Sequence, residues 1–305
     1  MTGTHIAMTG ATGFVGGAAL ELALARGWTV SALTRRRQSD MPGVRWVEGA
    51  LDDPASLKAL VQGADAVIHI AGVVNAPDRA GFEAGNAIGT MNLIDAMRAS
   101  PARRLVHVSS LAAREPDLSD YGWSKLMAER HVMASGLDWS IVRPPAIYGP
   151  GDREMLELFR MAARGAVLLP PEGRLSVIEV SDLARLLLDL APDRMLSLTE
   201  IYEIDDGTPG GLRHREFGEQ LGRAVGRKPL LLSMPAWAVN AAARIDRMLR
   251  GPKAKLTPDR ARYFCHPDWV SDPARQVPET LWQPRIPTAE GLAATAIAYR
   301  VKGWM

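Results

Sequence analysis

The sequence predicts an α/β protein built on a doubly wound parallel sheet, followed by a smaller, mainly helical layer. Two observations carry this reading. From residue 1 to about residue 144, short apolar runs alternate strictly with helical stretches, the pattern of a parallel sheet with helices on both faces. After that, the turn-rich segments Arg143-Pro144-Pro145 and Gly149-Pro150-Gly151 break the alternation, and helical stretches with Pro-rich joints take over.

His5-Ile6-Ala7-Met8-Thr9 reads as a buried strand. Gly13 to Arg26 reads as a helix with Val15, Ala19, Leu22 and Ala23 on one face, stopped by Gly27. Thr29–Thr34 and Val44–Glu48 are strands, and Pro54–Val61 is a helix with Pro in its first turn. Asp65–Ile70 and Leu105–Val108 are apolar strands separated by a helix over Ala87–Arg98; a helix over Tyr121–Ser135 leads to a strand at Trp139–Val142. Beyond the break we expect helices at Arg153–Arg164, Ser181–Leu190, Arg215–Val225, Pro235–Leu249, Pro258–Phe264 and Thr288–Val301. Strands are expected at Leu175–Ile178 and Ile201–Ile204. This divides the chain into residues 1–148 and 149–305, with 176–205 returning to the first part.

Composition narrows the function. Of 305 residues, 47% are hydrophobic and the formal net charge is +2, so the chain folds and nucleic acid is not an expected partner. One cysteine, Cys265, excludes an internal disulfide, and the six histidines lack metal-ligand spacing, so no metal is expected. No apolar run reaches the ~20 residues of a membrane span. With no leader pattern at the N-terminus, the expectation is a cytoplasmic protein acting on a small molecule. Residues 234–249 interleave Trp237, Val239, Ala242 and Ile245 with Arg244 and Arg247, and Arg250 follows. The expected reading is a segment packed on its own domain or on a homodimer partner; the alternative is an interfacial amphipathic helix.

Three motifs carry chemistry. Thr9-Gly10-Ala11-Thr12-Gly13-Phe14-Val15-Gly16 joins the first strand to the first helix; glycines there admit a pyrophosphate to the backbone and to the helix N-terminus. Thr34-Arg35-Arg36-Arg37 ends the second strand. An acid at this point holds the ribose hydroxyls of NAD, whereas arginine pairs with the 2′-phosphate of NADP, so NADP is favoured over NAD. Tyr121 and Lys125 lie one helical turn apart, after a strand that ends in Ser109-Ser110. A neighbouring ammonium is expected to lower the phenol pKa, so that Ser, Tyr and Lys form a proton-transfer set beside a hydride carrier. Lysine is scarce, six residues against 30 arginines, which makes a chance Tyr/Lys pair at this spacing improbable.

These residues resemble the short-chain dehydrogenase/reductase superfamily, in the extended or atypical branch of nucleotide-sugar epimerases, dehydratases and dihydroflavonol-type reductases. The resemblance rests on Thr9–Gly16, Thr34-Arg35, Val108-Ser109-Ser110, Tyr121 with Lys125, and the Arg143-Pro144-Pro145-Ala146-Ile147-Tyr148-Gly149-Pro150 run. It implies a Rossmann domain over residues 1–148 and a substrate-binding region after it. It makes Tyr121 the general acid/base, Lys125 its partner and a ribose ligand, and Ser110 rather than Ser109 the donor to the substrate oxygen. It further implies that Gly10, Thr12, Gly13, Phe14, Val15, Gly16, Thr34, Arg35, Arg36, Leu51, Ala71, Gly72, Pro144 and Ile147 contact the cofactor, Ala71 and Gly72 at the ribose and Pro144 and Ile147 around the nicotinamide. Asn86 matches an asparagine with a structural role.

Two departures stand out. Ala50 replaces the family's adenine-binding Asp, leaving the Leu51 backbone or Asp52 for that contact. Glu179-Val180-Ser181-Asp182 replaces a His-Val-Asp-Asp run, with Glu179 expected to be a solvated or paired carboxylate; the alternative is a substrate-specific polar group. The implied activity is an NADP(H)-dependent oxidoreductase for a small carbonyl or alcohol. The alternatives are a nucleotide-sugar epimerase or dehydratase with retained NAD, or a non-catalytic NADP-binding sensor or assembly factor.

Overall fold

The computed structural model describes residues 3–192, 199–251, 254 and 256–305. In chain order its elements are β1 (His5–Thr9), α1 (Phe14–Ala25), β2 (Thr29–Thr34), β3 (Val44–Glu48), α2 (Pro54–Val61), β4 (Ala66–His69), α3 (Arg79–Phe82), α4 (Gly89–Arg98), β5 (Arg104–Val108), α5 (Asp120–Met133) and β6 (Asp138–Arg143). Then follow β7 (Ala146–Tyr148), α6 (Leu156–Arg164), β8 (Ala166–Leu169), β9 (Arg174–Leu175), β10 (Val177–Glu179), α7 (Val180–Asp189) and β11 (Glu200–Glu203). The chain closes with β12 (Leu212–Arg213), α8 (His214–Val225), β13 (Leu230–Ser233), α9 (Ala236–Arg250), α10 (Pro258–Cys265), β14 (Asp268–Trp269) and α11 (Thr288–Val301).

The chain divides into two compact units. The first comprises residues 1–143, 183–202 and 277–282; the second comprises 144–182, 203–276 and 283–305. The 176–205 stretch is therefore shared between them, and residues 193–198 of it lie outside the described residues.

The first unit is built on a seven-stranded sheet in the order β11-β6-β5-β4-β1-β2-β3. The pairs β1/β2, β1/β4, β2/β3, β4/β5 and β5/β6 are all parallel. β4 and β5 are buried along their whole length, as continuous apolar runs covered on both faces must be. Ala7, Leu57, Leu60, Val67, Leu93, Met97, Leu105 and Ile141 form the core beneath one face. Strand order reverses between β1 and β4, and ligands of such sheets bind at the carboxyl ends of the strands flanking that point. The helix expected from Ala87 starts earlier: α3 and a π-helical turn at Glu83–Ile88 precede α4.

The second unit contains α6, α8, α9, α10 and α11 together with small sheets. β10 pairs with β7, β13 with β8, and β9 lies between β12 and β14. Strands of two to four residues are too short to show a period of two, and only the strand expected at Leu175–Ile178, which falls on the end of β9 and the start of β10, is legible in the sequence. Its core holds Tyr148, Phe159, Leu221, Leu292 and Tyr299, with Phe159 and Tyr299 edge-to-face at 5.1 Å. Glu179 is not solvated: it is buried, and its carboxylate accepts from the Ser181 backbone N–H at 2.6 Å. Val239 packs as expected for residues 234–249, but Trp237 and Ile245 do not; both are exposed.

Candidate active site

The first half of the site lies at the carboxyl ends of β1 and β4. Gly10 has φ +76°, and a Cβ there would stand 2.7 Å from the Ala71 backbone nitrogen. A Cβ on Gly16 would stand 2.0 Å from the Gly10 carbonyl oxygen. The turn closes only because both positions carry hydrogen. Gly13 caps α1 without any side-chain hydrogen bond, so the first backbone N–H groups of the helix remain open to an anion. Thr12 is exposed, and Phe14 and Val15 are half-buried beside it. This backbone cradle fits a dinucleotide pyrophosphate.

Thr34 ends β2 and fixes the following loop: its hydroxyl donates to the Arg36 carbonyl at 2.7 Å. Arg35, Arg36 and Arg37 are exposed, and among the described residues none has an ion-pair partner. Near Ala50, Asp53 caps α2 by accepting from Ala55 N–H, Asp52 is exposed, and the Leu51 carbonyl accepts from Asn92 at 2.8 Å. Ala71 is half-buried, and its N–H donates to the Thr9 hydroxyl oxygen at 3.1 Å. A Cβ on Gly72 would lie 3.0 Å from Asn86 Oδ1 and 3.5 Å from Lys125 Nζ, so this glycine sits over the lysine. Pro144 and Ile147 belong to the second unit, immediately after β6.

The second half follows β5. The two serines have different surroundings. Ser109 is buried and donates to Glu129 Oε1 at 2.5 Å, whereas Ser110 is half-buried, accepts from Ala112 N–H at 3.2 Å, and acts on the Tyr121 hydroxyl by lowering its pKa. Ser119 caps α5 by accepting from Gly122 N–H at 3.0 Å, which sets Tyr121 in the first turn and Lys125 in the next. Lys125 is buried, and its ammonium donates to the Val108 carbonyl at 2.9 Å. Burial lowers its pKa to about 8, against the opposing pull of Glu129. For Tyr121 the expected lowering by Lys125 is not what governs: burial raises the phenol above its ordinary value, and Ser110 works against that rise. The ammonium is engaged with the backbone of β5 instead.

Sequence reasoning missed Glu129. Its carboxylate is fully buried and forms a two-point pair with Arg143, at 2.8 Å from Nε and 2.7 Å from Nη2, while also accepting from Ser109. Tyr121, Lys125 and Glu129 are spaced four apart and so share one face of α5; extending that spacing by one turn would have found it. Asn86, in the π-helical turn, accepts from Val73 N–H and donates to the Val73 carbonyl and to Ser124 Oγ, clamping the loop that follows β4.

A buried histidine pair lies behind Lys125. Thr90 donates to the Asn86 carbonyl, so it accepts from His69 Nε2; Nδ1 of the same ring must then accept from the Thr9 hydroxyl at 2.6 Å. The network holds His69 neutral. Burial, reinforced by Lys125, lowers its pKa to about 3. His107 lies 5.2 Å away with no partner on either ring nitrogen among the described residues, and burial, His69 and Lys125 hold it neutral too.

Both histidines have folded-state pKa values below the unfolded value near 6.5, so below that pH the unfolded chain binds more protons than the native one. Stability should therefore fall as pH drops below about 6.5, by up to about 1.4 kcal/mol per pH unit for each histidine. Urea melts at pH 7.5 and pH 5 check this, and His107→Phe should remove roughly half of the slope. Equal pH slopes in wild type and variant would contradict it.

A model of the NAD(P)H-binding family matches residues 10–193. The chain is 35% identical to ceramide reductase of Caulobacter vibrioides (strain NA1000 / CB15N), over 98% of this chain and 96% of that protein. It is 32% identical to 2-alkyl-3-oxoalkanoate reductase of Stenotrophomonas maltophilia (strain K279a), over 94% and 97%. Among solved structures it is similar to MoeE5 in complex with UDP-glucose and NAD, with a TM-score of 0.75, 23% identity, and 98% of this chain and 99% of that one covered. That last likeness is one of fold.

Proposed function

The chain belongs to the NAD(P)H-binding family, in the extended or atypical branch of the short-chain dehydrogenase/reductase superfamily, and from that premise we propose that it is an NADP(H)-dependent ketone reductase. The observation that carries this reading is the placing of Tyr121 in the capped first turn of α5, with buried Lys125 one helical turn on and tied to the Val108 carbonyl, and the glycine cradle in the same unit. The cofactor, when bound, supplies or accepts the hydride. The backbone of Gly10–Gly16 and the N-terminus of α1 would hold its pyrophosphate, Arg35 and Arg36 its 2′-phosphate, and Lys125 its ribose.

Ser110 orients the substrate oxygen, and Tyr121 gives that oxygen its proton on reduction or takes it back on oxidation. Burial raises the Tyr121 hydroxyl above its ordinary pKa, so at neutral pH it is a phenol able to donate. The two nearly full-length relatives are named for ceramide and for 2-alkyl-3-oxoalkanoates, and we assign the substrate class accordingly: a ketone, or its alcohol, carried on an alkyl chain. The lone unpaired cysteine fits a reducing, cytoplasmic location. Retained-NAD epimerase chemistry is disfavoured because Thr34 is followed by arginines, where an acid would hold the ribose.

The cofactor assignment is tested by equilibrium binding. Wild type should bind NADPH at least about tenfold more tightly than NADH, and Arg35→Ala should lose most of that difference, as removal of a charge-assisted hydrogen bond predicts. Equal affinities for the two cofactors in wild type would overturn it.

A further inference from the structure

Helix α9 is an inverted surface helix. Only Val239 and Ala243, one turn apart, are buried, and they form a small cluster with Ala261 of α10. Trp237, Ala241 and Ile245 each lie two residues, about 200°, from one of those two, and so project from the opposite side. That outer side should be polar, yet Trp237 is 74% exposed, Met248 78%, Leu249 74% and Ile245 54%. Phe264, on the helix packed against α9, is exposed as well.

The sequence through this stretch is basic. Residues 234–265 contain seven basic and two acidic side chains, a net of +5 in a chain whose total is only +2. Arg250 pairs with Asp246, and Arg262 with Asp259. Among the described residues Arg244 and Arg247 have no ion-pair partner. An occupant of this face must therefore accept large apolar side chains and compensate clustered positive charge.

A second copy of the chain meets the first requirement and fails the second, because an isologous contact would set Arg244 and Arg247 near their own equivalents. An anionic bilayer surface meets both: its acyl region takes Trp237, Ile245, Met248 and Leu249, and its headgroups take the guanidinium groups. We propose that the outer face of α9 docks the protein reversibly on anionic lipid membranes, as a peripheral and not a spanning element. No helix among the described residues is long and apolar enough to cross a membrane. The proposal does not depend on the reaction assigned above.

Co-sedimentation of the full chain with vesicles tests it, using phosphatidylcholine alone and a 7:3 mixture of phosphatidylcholine and phosphatidylglycerol. The expected result is binding to the anionic vesicles at least about tenfold stronger than to the neutral ones, and weakened by 0.5 M salt. Trp237→Ser combined with Met248→Ser should reduce binding at least about tenfold, and Arg244→Glu combined with Arg247→Glu should abolish the lipid-charge preference. All four residues project from the fold, so thermal melting should not change. Absence of binding to anionic vesicles would overturn the proposal. So would a lipid-free dimer that the Trp237/Met248 variant converts to monomer, since the face would then be an interface between copies.

Discussion

Tyr121→Phe is expected to leave NADPH affinity within about twofold of wild type and to lower kcat by about 10²–10⁴, the range lost when a positioned acid/base is removed. The substitution deletes one oxygen while keeping the ring and its packing near Phe82, whose centroid lies 6.0 Å away. Because the phenol is raised by burial, wild-type activity in the reducing direction should persist at mildly alkaline pH until Lys125 discharges near pH 8. Lys125→Met should behave differently, weakening cofactor binding as well as turnover. Stopped-flow turnover and fluorescence titration separate these outcomes, and a Tyr121→Phe variant with unchanged kcat would remove the tyrosine from the mechanism.

Gly16→Ala is the second large effect, and it comes from geometry. The added Cβ would stand 2.0 Å from the Gly10 carbonyl oxygen and 2.8 Å from the Ala11 Cα, all backbone that cannot rotate away. The β1–α1 turn must open, which should cost roughly 3 kcal/mol of stability and weaken NADPH binding more than about 100-fold. Gly17→Ala is the matched control: its Cβ would meet only the Ala11 carbonyl oxygen at 3.9 Å. In the helix interior that change should be neutral or stabilising by up to about 1 kcal/mol. Thermal melts with and without NADPH read both variants, and similar losses at 16 and 17 would contradict the close approach described for Gly16.

The two ends of the first unit differ in how far the sequence reveals them. The glycine turn and the Tyr121/Lys125 pair announce themselves because their chemistry depends on fixed local spacing. Strands β1 to β6 are legible because short β-type runs alternate with helical stretches along this part of the chain, although β3 (Val-Arg-Trp-Val-Glu) carries charges within it. Glu129, Arg143 and Ser109 meet only through tertiary packing of α5 on the strand ends; the four-residue spacing places Glu129 on the face of Tyr121 and Lys125, but not its partners. The His69–His107 pair is likewise invisible until β4 and β5 are set side by side in register.

Helix α9 shows a different limit. Its apolar residues run around most of the circumference, so periodicity alone does not tell which side packs. The buried Val239 and Ala243 decide that, and they leave Trp237 facing outward.

The most direct test of the central claim is isotope transfer. With NADPH deuterated at the reactive C4 position and a 2-alkyl-3-oxoalkanoate or other long-chain ketone, one deuterium should appear on the carbinol carbon of each alcohol formed. One equivalent of NADP⁺ should be released with it, and Tyr121→Phe should suppress both. Substrate conversion with no net oxidation of the nicotinamide, the label remaining on a cofactor that never leaves the protein, would contradict the reductase account.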